Sequence, residues 1–196
     1  MVTTRDRIVN ASTELFGRQG YAGTGIKAIL VASDAPFGSL YHFFPGGKEA
    51  LGAEAIRVGG TTYRLLVEAF FGVGDDVVDA TRRFFEGAAE MIEATNFADA
   101  CPIATVALEV ASVSEPMREA AAEAFESWLA VLQQRLGEVG IDSVRARELA
   151  IELFCALEGA FLLSRTTRDK TPILVAGRAA TRSVEAAVRS AVPTPA

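Results

Sequence analysis

The chain has 196 residues, with 19 Lys and Arg against 25 Asp and Glu, one histidine, two cysteines and a formal net charge of −6. That length suits one domain or two small ones with a real core, while Cys101 and Cys155 are too few for a disulfide scaffold and read as reduced thiols. Any histidine-rich zinc site or Ser-His-Asp hydrolase would rest on His42 alone, and the acidity argues against indiscriminate binding to nucleic acid or anionic lipid without excluding a small basic face.

The first residues carry no apolar run of the kind a secretory signal needs. No stretch approaches the roughly 20 consecutive apolar residues of a membrane helix, so a cytoplasmic protein with no membrane partner is expected. Seven prolines stand at 36, 45, 102, 116, 172, 193 and 195 and leave long stretches free of helix breakers. Nothing alternates with period two for long enough to make a sheet, so the expected fold class is all-α with about nine helices.

The first helix is expected over 4–20, with Ile8, Ala11, Leu15 and Phe16 on one face. Thr24 is placed as the cap of a short second helix over 25–33, and Pro36 as the first position of a third that ends before Pro45. Gly46-Gly47 then opens a long fourth helix over 48–71. Asp75, Asp76 and Asp79 suit the start of a fifth, which runs to about 95. Pro102 opens a sixth, Ser114-Glu115-Pro116 a seventh to about 136, Asp142 an eighth to about 165, and Thr171-Pro172 a ninth to about 190. A frayed tail is expected over 192–196.

Two short helices joined by a tight turn at Asp34-Ala35 have the helix-turn-helix arrangement that places a recognition helix in the DNA major groove. Leu40 and Phe44, four apart, are expected to pack inward, which turns Phe37, Gly38, Tyr41 and His42 outward. The string Thr24-Gly-Ile-Lys-Ala-Ile-Leu-Val-Ala-Ser-Asp-Ala-Pro-Phe-Gly-Ser-Leu-Tyr-His-Phe-Phe-Pro-Gly-Gly-Lys-Glu-Ala-Leu51 resembles the DNA-binding segment of the TetR family of transcriptional regulators. Its Phe44-Pro-Gly-Gly-Lys48 linker is similar to that of the LmrA/YxaF-type subgroup. The strings running from Cys101 to Ser112 and from Ala156 to Arg165 resemble the same subgroup's regulatory domain. The resemblance implies a three-helix helix-turn-helix head over 1–48 and a ligand-binding and dimerisation domain over 49–196.

It also implies a double-stranded DNA operator as partner, with Thr24, Lys27, Pro36, Phe37, Gly38, Ser39, Tyr41, His42 and Lys48 as the DNA-binding set. The chemistry is compatible, since Tyr41, Lys48 and the Thr24 hydroxyl suit phosphate oxygens, and Ser39 and His42 suit base edges. Two residues depart from the family pattern. Asp34 replaces the usual turn glycine but tolerates a left-handed backbone better than most residues. Phe37 replaces a common Lys or Arg, which weakens phosphate binding and offers an aromatic face to a thymine methyl. Residues 1–48 hold five cations against three carboxylates, a net +2, which leaves −8 for the remainder. A weakly basic head on an acidic body is the expectation.

In the body, Met91, Phe97, Thr105, Glu109, Ser112, Phe125, Trp128, Phe154, Glu158 and Phe161 are candidate ligand-binding residues, mixing aromatic bulk with a few polar groups. Taken singly, each apolar residue suits ordinary core better than a ligand site, and Glu109 and Glu158 suit a solvent face equally well. By resemblance the ligand is a small apolar or aromatic inducer. Leu153, Ala156, Leu157, Ala160, Leu174, Ala180 and Val184 form stripes suited to a four-helix homodimer interface, although they also suit the chain's own core. Gly59-Gly60, in the middle of the fourth helix, is read either as a hinge linking ligand to head or as a point of close packing.

No enzyme is expected. Gly47-Lys48 lacks the first P-loop glycine, Gly72-Val-Gly74 lacks the third dinucleotide-binding glycine, and there is no CxxC or HExxH, so neither a metal nor another cofactor is implied. The expected function is a ligand-responsive repressor released from a palindromic operator. The alternative is a helical small-molecule binding protein whose head has lost DNA binding.

Overall fold

The computed structural model describes residues 2–191, so the tail expected over 192–196 lies outside the described residues. Among the described residues there are nine α-helices and no strand: α1 (Thr4–Gly23), α2 (Ile26–Ala32), α3 (Ser39–Phe43), α4 (Gly47–Phe70), α5 (Val77–Ala94), α6 (Pro102–Val110), α7 (Glu115–Glu138), α8 (Ser143–Thr167) and α9 (Thr171–Ala191). No helix among them is long and apolar enough to cross a membrane.

The helix starts follow their capping chemistry. Thr3 and Asp6 form a reciprocal capping box at α1, in which Thr3 Oγ1 accepts from the Asp6 amide and the Asp6 carboxylate accepts from the Thr3 amide. Asp76 accepts from the Val78 and Asp79 amides at α5, and Asp142 from the Val144 and Arg145 amides at α8. Pro102 takes the first position of α6, where its missing N–H costs nothing.

Three starts or ends differ from the sequence expectation. α1 continues to Gly23, but its helical path is interrupted at Gly20, whose φ of 76° only glycine adopts without strain. The cap of α2 is Gly25, with no side-chain hydrogen bond. Thr24 is fully buried, and its hydroxyl donates to the Gly20 carbonyl at 2.7 Å and the Leu15 carbonyl at 3.3 Å. Pro36 opens a turn instead of a helix: its carbonyl accepts from the Ser39 amide at 2.9 Å, and α3 begins only there.

The chain divides into two compact units. One contains the chain up to Thr62 together with Ala100–Phe125; the other contains Tyr63–Asp99 together with the chain from Glu126. In the first, α1 packs on α2, α3 and α6 around Ile8, Phe16, Ile29, Leu40, Leu51 and Ile103. In the second, α5 and α8 pack on α9. Its interior holds an aromatic cluster in which the Phe84 ring lies 5.4 to 6.4 Å from those of Phe70, Phe71, Phe85 and Phe154. Trp128 lies 5.6 Å from Phe154 and 5.9 Å from Tyr63.

Gly59 and Gly60 are buried inside an unbroken α4. A Cβ on Gly59 would lie 3.1 Å from the Thr13 methyl, and one on Gly60 would lie 2.6 Å from the Ala124 Cβ. Of the two readings of this pair, close packing is the one that the geometry carries, because the space a hinge would need is filled by α1, α6 and α7. Gly60→Ala is therefore expected to lower the unfolding free energy by about 1–3 kcal/mol, since overpacking outweighs the gain of about 1 kcal/mol in helix propensity. Urea denaturation followed by circular dichroism measures the change.

Candidate nucleic-acid interface

The turn between α2 and α3 is built from backbone first. At the end of α2 the Asp34 amide donates to the Val31 carbonyl at 3.2 Å and the Ala35 amide to the Leu30 carbonyl at 3.0 Å. This is a Schellman closure, and its pivotal residue must be left-handed. Asp34 has a φ of 47°, as its replacement of glycine requires. A side chain there costs roughly 1–2 kcal/mol for most residues, with Asp among the better tolerated. The guanidinium of Arg7, from α1, covers the next two carbonyls. Its Nε donates to Ser33 O and its Nη2 to Asp34 O, both at 2.9 Å.

The recognition segment then divides by face. Leu40 is fully buried and Phe44 nearly so, as their spacing predicts. Phe37 is 72% exposed and Tyr41 55% exposed. His42 is exposed with its ring edge-on to Phe43 at 4.8 Å, and Pro36 and Gly38 are also exposed. Ser39 is half-buried. Phe37, Tyr41 and His42 therefore form one outward aromatic face on a short helix held by a buried leucine.

Thr24 and Lys48, both expected at phosphate, are directed inward. The Thr24 hydroxyl closes the end of α1, as described above. Lys48 Nζ donates to the Tyr21 carbonyl at 2.6 Å and lies 4.1 Å from the centre of the Tyr21 ring. Burial pushes this ammonium below the ordinary lysine range, and the Glu109 carboxylate opposes that shift. Burial, followed by the nearby Glu49 charge, pushes the Tyr21 phenol up.

The other head cations are similarly engaged. Arg5 pairs with Glu54 at 2.6 Å and lies over the Phe44 ring, while Arg18 pairs with Glu14 at 3.0 Å. Among the described residues, Lys27 is the one cation of the head that forms neither an ion pair nor a hydrogen bond, and it is exposed on α2. Sequence counting gave the net charge correctly but could not show which charges were already taken.

Glu109, a candidate ligand anchor, meets the head instead. Its Oε1 accepts from the Tyr21 amide at 3.1 Å and its Oε2 from the Ala22 amide at 2.7 Å, just after the interruption at Gly20. A Cβ at Gly20 would lie 2.0 Å from that carboxylate. Thr105 donates to the Cys101 carbonyl at 2.9 Å, Ser112 is exposed, and Phe125 is half-buried; these three belong with Glu109 to the first unit. Met91, Phe97, Trp128, Phe154, Glu158 and Phe161 belong to the second. There Trp128, Phe154 and Phe161 are buried, and Trp128 and Phe154 join the aromatic cluster. Tyr63, Phe70, Phe71, Phe84 and Phe85, absent from the expected set, make up the rest of it; the paired Phe70-Phe71 and Phe84-Phe85 were the available sequence signal.

Most of the expected dimer stripe faces the chain's own core, the other reading its spacing allowed. Leu153, Leu157, Ala160, Ala180 and Val184 are buried within one chain, and Ala156 and Leu174 are half-buried. The packing of α8 and α5 on α9 uses that stripe for the unit's own core. The outward row of α8 is the neighbouring one, with Val144, Ile151, Cys155, Gly159 and Leu162 exposed, and Val175 of α9 is exposed as well.

Residues 8–55 match the family model for bacterial regulatory proteins of the tetR family, and residues 77–179 match that for the transcriptional regulator LmrA/YxaF-like C-terminal domain. The HTH-type transcriptional regulator YxaF of Bacillus subtilis is 37% identical over 172 residues, 88% of this chain and 90% of its own length. LmrA of the same organism is 35% identical, over 87% of this chain and 91% of its length. A crystal structure of regulatory protein TetR from Rhodobacter sphaeroides superposes with a TM-score of 0.81 at 24% identity, covering 92% of this chain and 98% of that one. These relatives are regulators and not enzymes. With a helix-turn-helix head and a matching regulatory domain, the chain belongs to the TetR family of transcriptional regulators, in its LmrA/YxaF-like group.

Proposed function

We propose that the protein is a homodimeric repressor that leaves a palindromic DNA operator when a small apolar or aromatic inducer binds its body. The outward face of Phe37, Tyr41 and His42 on a buried Leu40 carries this reading. One head reads few base pairs, and a two-fold partner adds a second half-site about 34–36 Å away. The aromatic cluster around Phe84, Trp128 and Phe154 offers the inducer an apolar, stacking environment. Glu109 joins α6 to the Tyr21 and Ala22 amides, so a movement of α6 would be passed to the end of α1.

A second reading, a small-molecule binding protein that no longer reads DNA, is favoured by the engagement of Arg5, Arg7, Arg18 and Lys48 inside the head. Selection of a random-sequence duplex pool on the purified protein separates the two. Enrichment of a palindromic sequence supports the repressor, and no enrichment favours the binding protein.

With Lys27 as the free cation of each head, the salt dependence of operator binding is expected to be shallow, a log-log slope of about −2 for a dimer. Phe37→Lys should tighten binding and steepen the slope by about 0.9 for each head, while relaxing base preference wherever Phe37 touches a thymine methyl. Fluorescence anisotropy across a salt series reads both.

Leu162→Glu, in the outward row of α8, is expected to shift the dimer toward monomer and reduce operator affinity, whereas Leu153→Glu should unfold the chain. Sedimentation velocity distinguishes the outcomes. Glu109→Ala leaves two amides without their carboxylate and should cost about 1 kcal/mol of stability at this exposed position, measured by urea denaturation.

A further inference from the structure

We propose that Arg7, on the first turns of α1, is a positioning residue for DNA reading: it holds the α2–α3 turn in register so that the Phe37, Tyr41 and His42 face meets the groove. The inference rests on the DNA-binding reading above.

The turn makes an unusual demand on its surroundings. The Schellman closure satisfies the Val31 and Leu30 carbonyls from the Asp34 and Ala35 amides. The following residue is Pro36, which has no N–H to offer, and α3 begins only at Ser39. The Ser33 and Asp34 carbonyls therefore look past the next backbone donor, at the negative end of α2, with a non-glycine residue at a φ of 47° between the two helices. Arg7 meets that demand with one planar group. Its Nε and Nη2 donate in parallel to two consecutive carbonyls, each at 2.9 Å. A guanidinium suits this geometry because its donors diverge in a fixed fork; an ammonium can favour one carbonyl at the expense of the other.

The far end of the contact is equally fixed. Arg7 follows the Thr3–Asp6 capping box by one residue and precedes the fully buried Ile8, so its backbone cannot follow a turn that drifts. α3 contributes only Leu40 and the adjoining Phe44 to the buried core, and with five residues it has little rigidity of its own. The orientation of the recognition face then depends on the turn that feeds it. In this arrangement two of the Arg7 guanidinium donors are taken by the turn's carbonyls.

The test uses the full-length protein and a labelled duplex enriched from a random-sequence pool by the parent. Arg7→Gln is expected to lower affinity about tenfold or more. The salt slope should stay unchanged, whereas loss of an ionic phosphate contact would reduce it by about 0.9. Arg7→Lys should fall between parent and Arg7→Gln, and it remains informative if the glutamine variant folds poorly. Asp34→Gly added to Arg7→Gln should restore most of the affinity, because glycine holds the left-handed turn unaided. Thermal melting confirms that the variants compared are folded. Unchanged affinity in Arg7→Gln, a reduced slope, or no rescue by Asp34→Gly would overturn the positioning role while leaving the DNA reading intact. Failure of the parent to enrich any duplex would overturn the DNA reading, and this inference with it.

Discussion

The first unit is organised around an interruption in α1. Gly20 turns the chain out of its helical path, and the Tyr21 and Ala22 amides that follow would otherwise lack acceptors. Glu109 of α6 takes both, and Lys48 at the start of α4 takes the Tyr21 carbonyl. Two helices far apart in sequence, α4 and α6, are thereby fixed to one peptide segment of α1 by an ammonium and a carboxylate. Thr24, closing the same segment from inside, makes the arrangement compact enough for α2 to begin immediately afterwards. The head is a three-helix unit in sequence, but its geometry is completed by α6.

This construction leaves little free positive charge at the head of this chain. Arg5, Arg7, Arg18 and Lys48 serve the fold, where each meets a carbonyl, a carboxylate or an aromatic ring. Under the proposed function, recognition would depend more on shape and on the aromatic face than on counterion release. The acidic remainder of the chain works in the same direction, since it disfavours non-specific adherence to DNA.

Elements whose cause is local could be read from the sequence. Asp76, Pro102 and Asp142 announce their helices, Asp34 announces a left-handed turn, and the spacing of Leu40 and Phe44 gives α3 its inner face. Where the expectation differed, the deciding partner was distant. Thr24 looks like a cap until Gly20 turns back toward it. Gly59-Gly60 suits a hinge until Ala124 is seen against it. Leu153 and Leu157 carry the right period for an interface, and only the position of α5 and α9 shows that the neighbouring row faces outward. Periodicity identifies stripes on a helix; which stripe meets which neighbour is a tertiary fact.

The shortness of α3 has a consequence for how such a head changes over time. Five residues cannot hold a helix by themselves, so the segment is kept by Leu40, Phe44 and the turn before it, all of which point away from the reading face. The side chains at Phe37, Tyr41 and His42 contribute little to the fold that displays them. A duplicated copy of the chain can change those positions without losing foldability, so under the proposed function new operators would be accessible by single substitutions that leave the scaffold untouched.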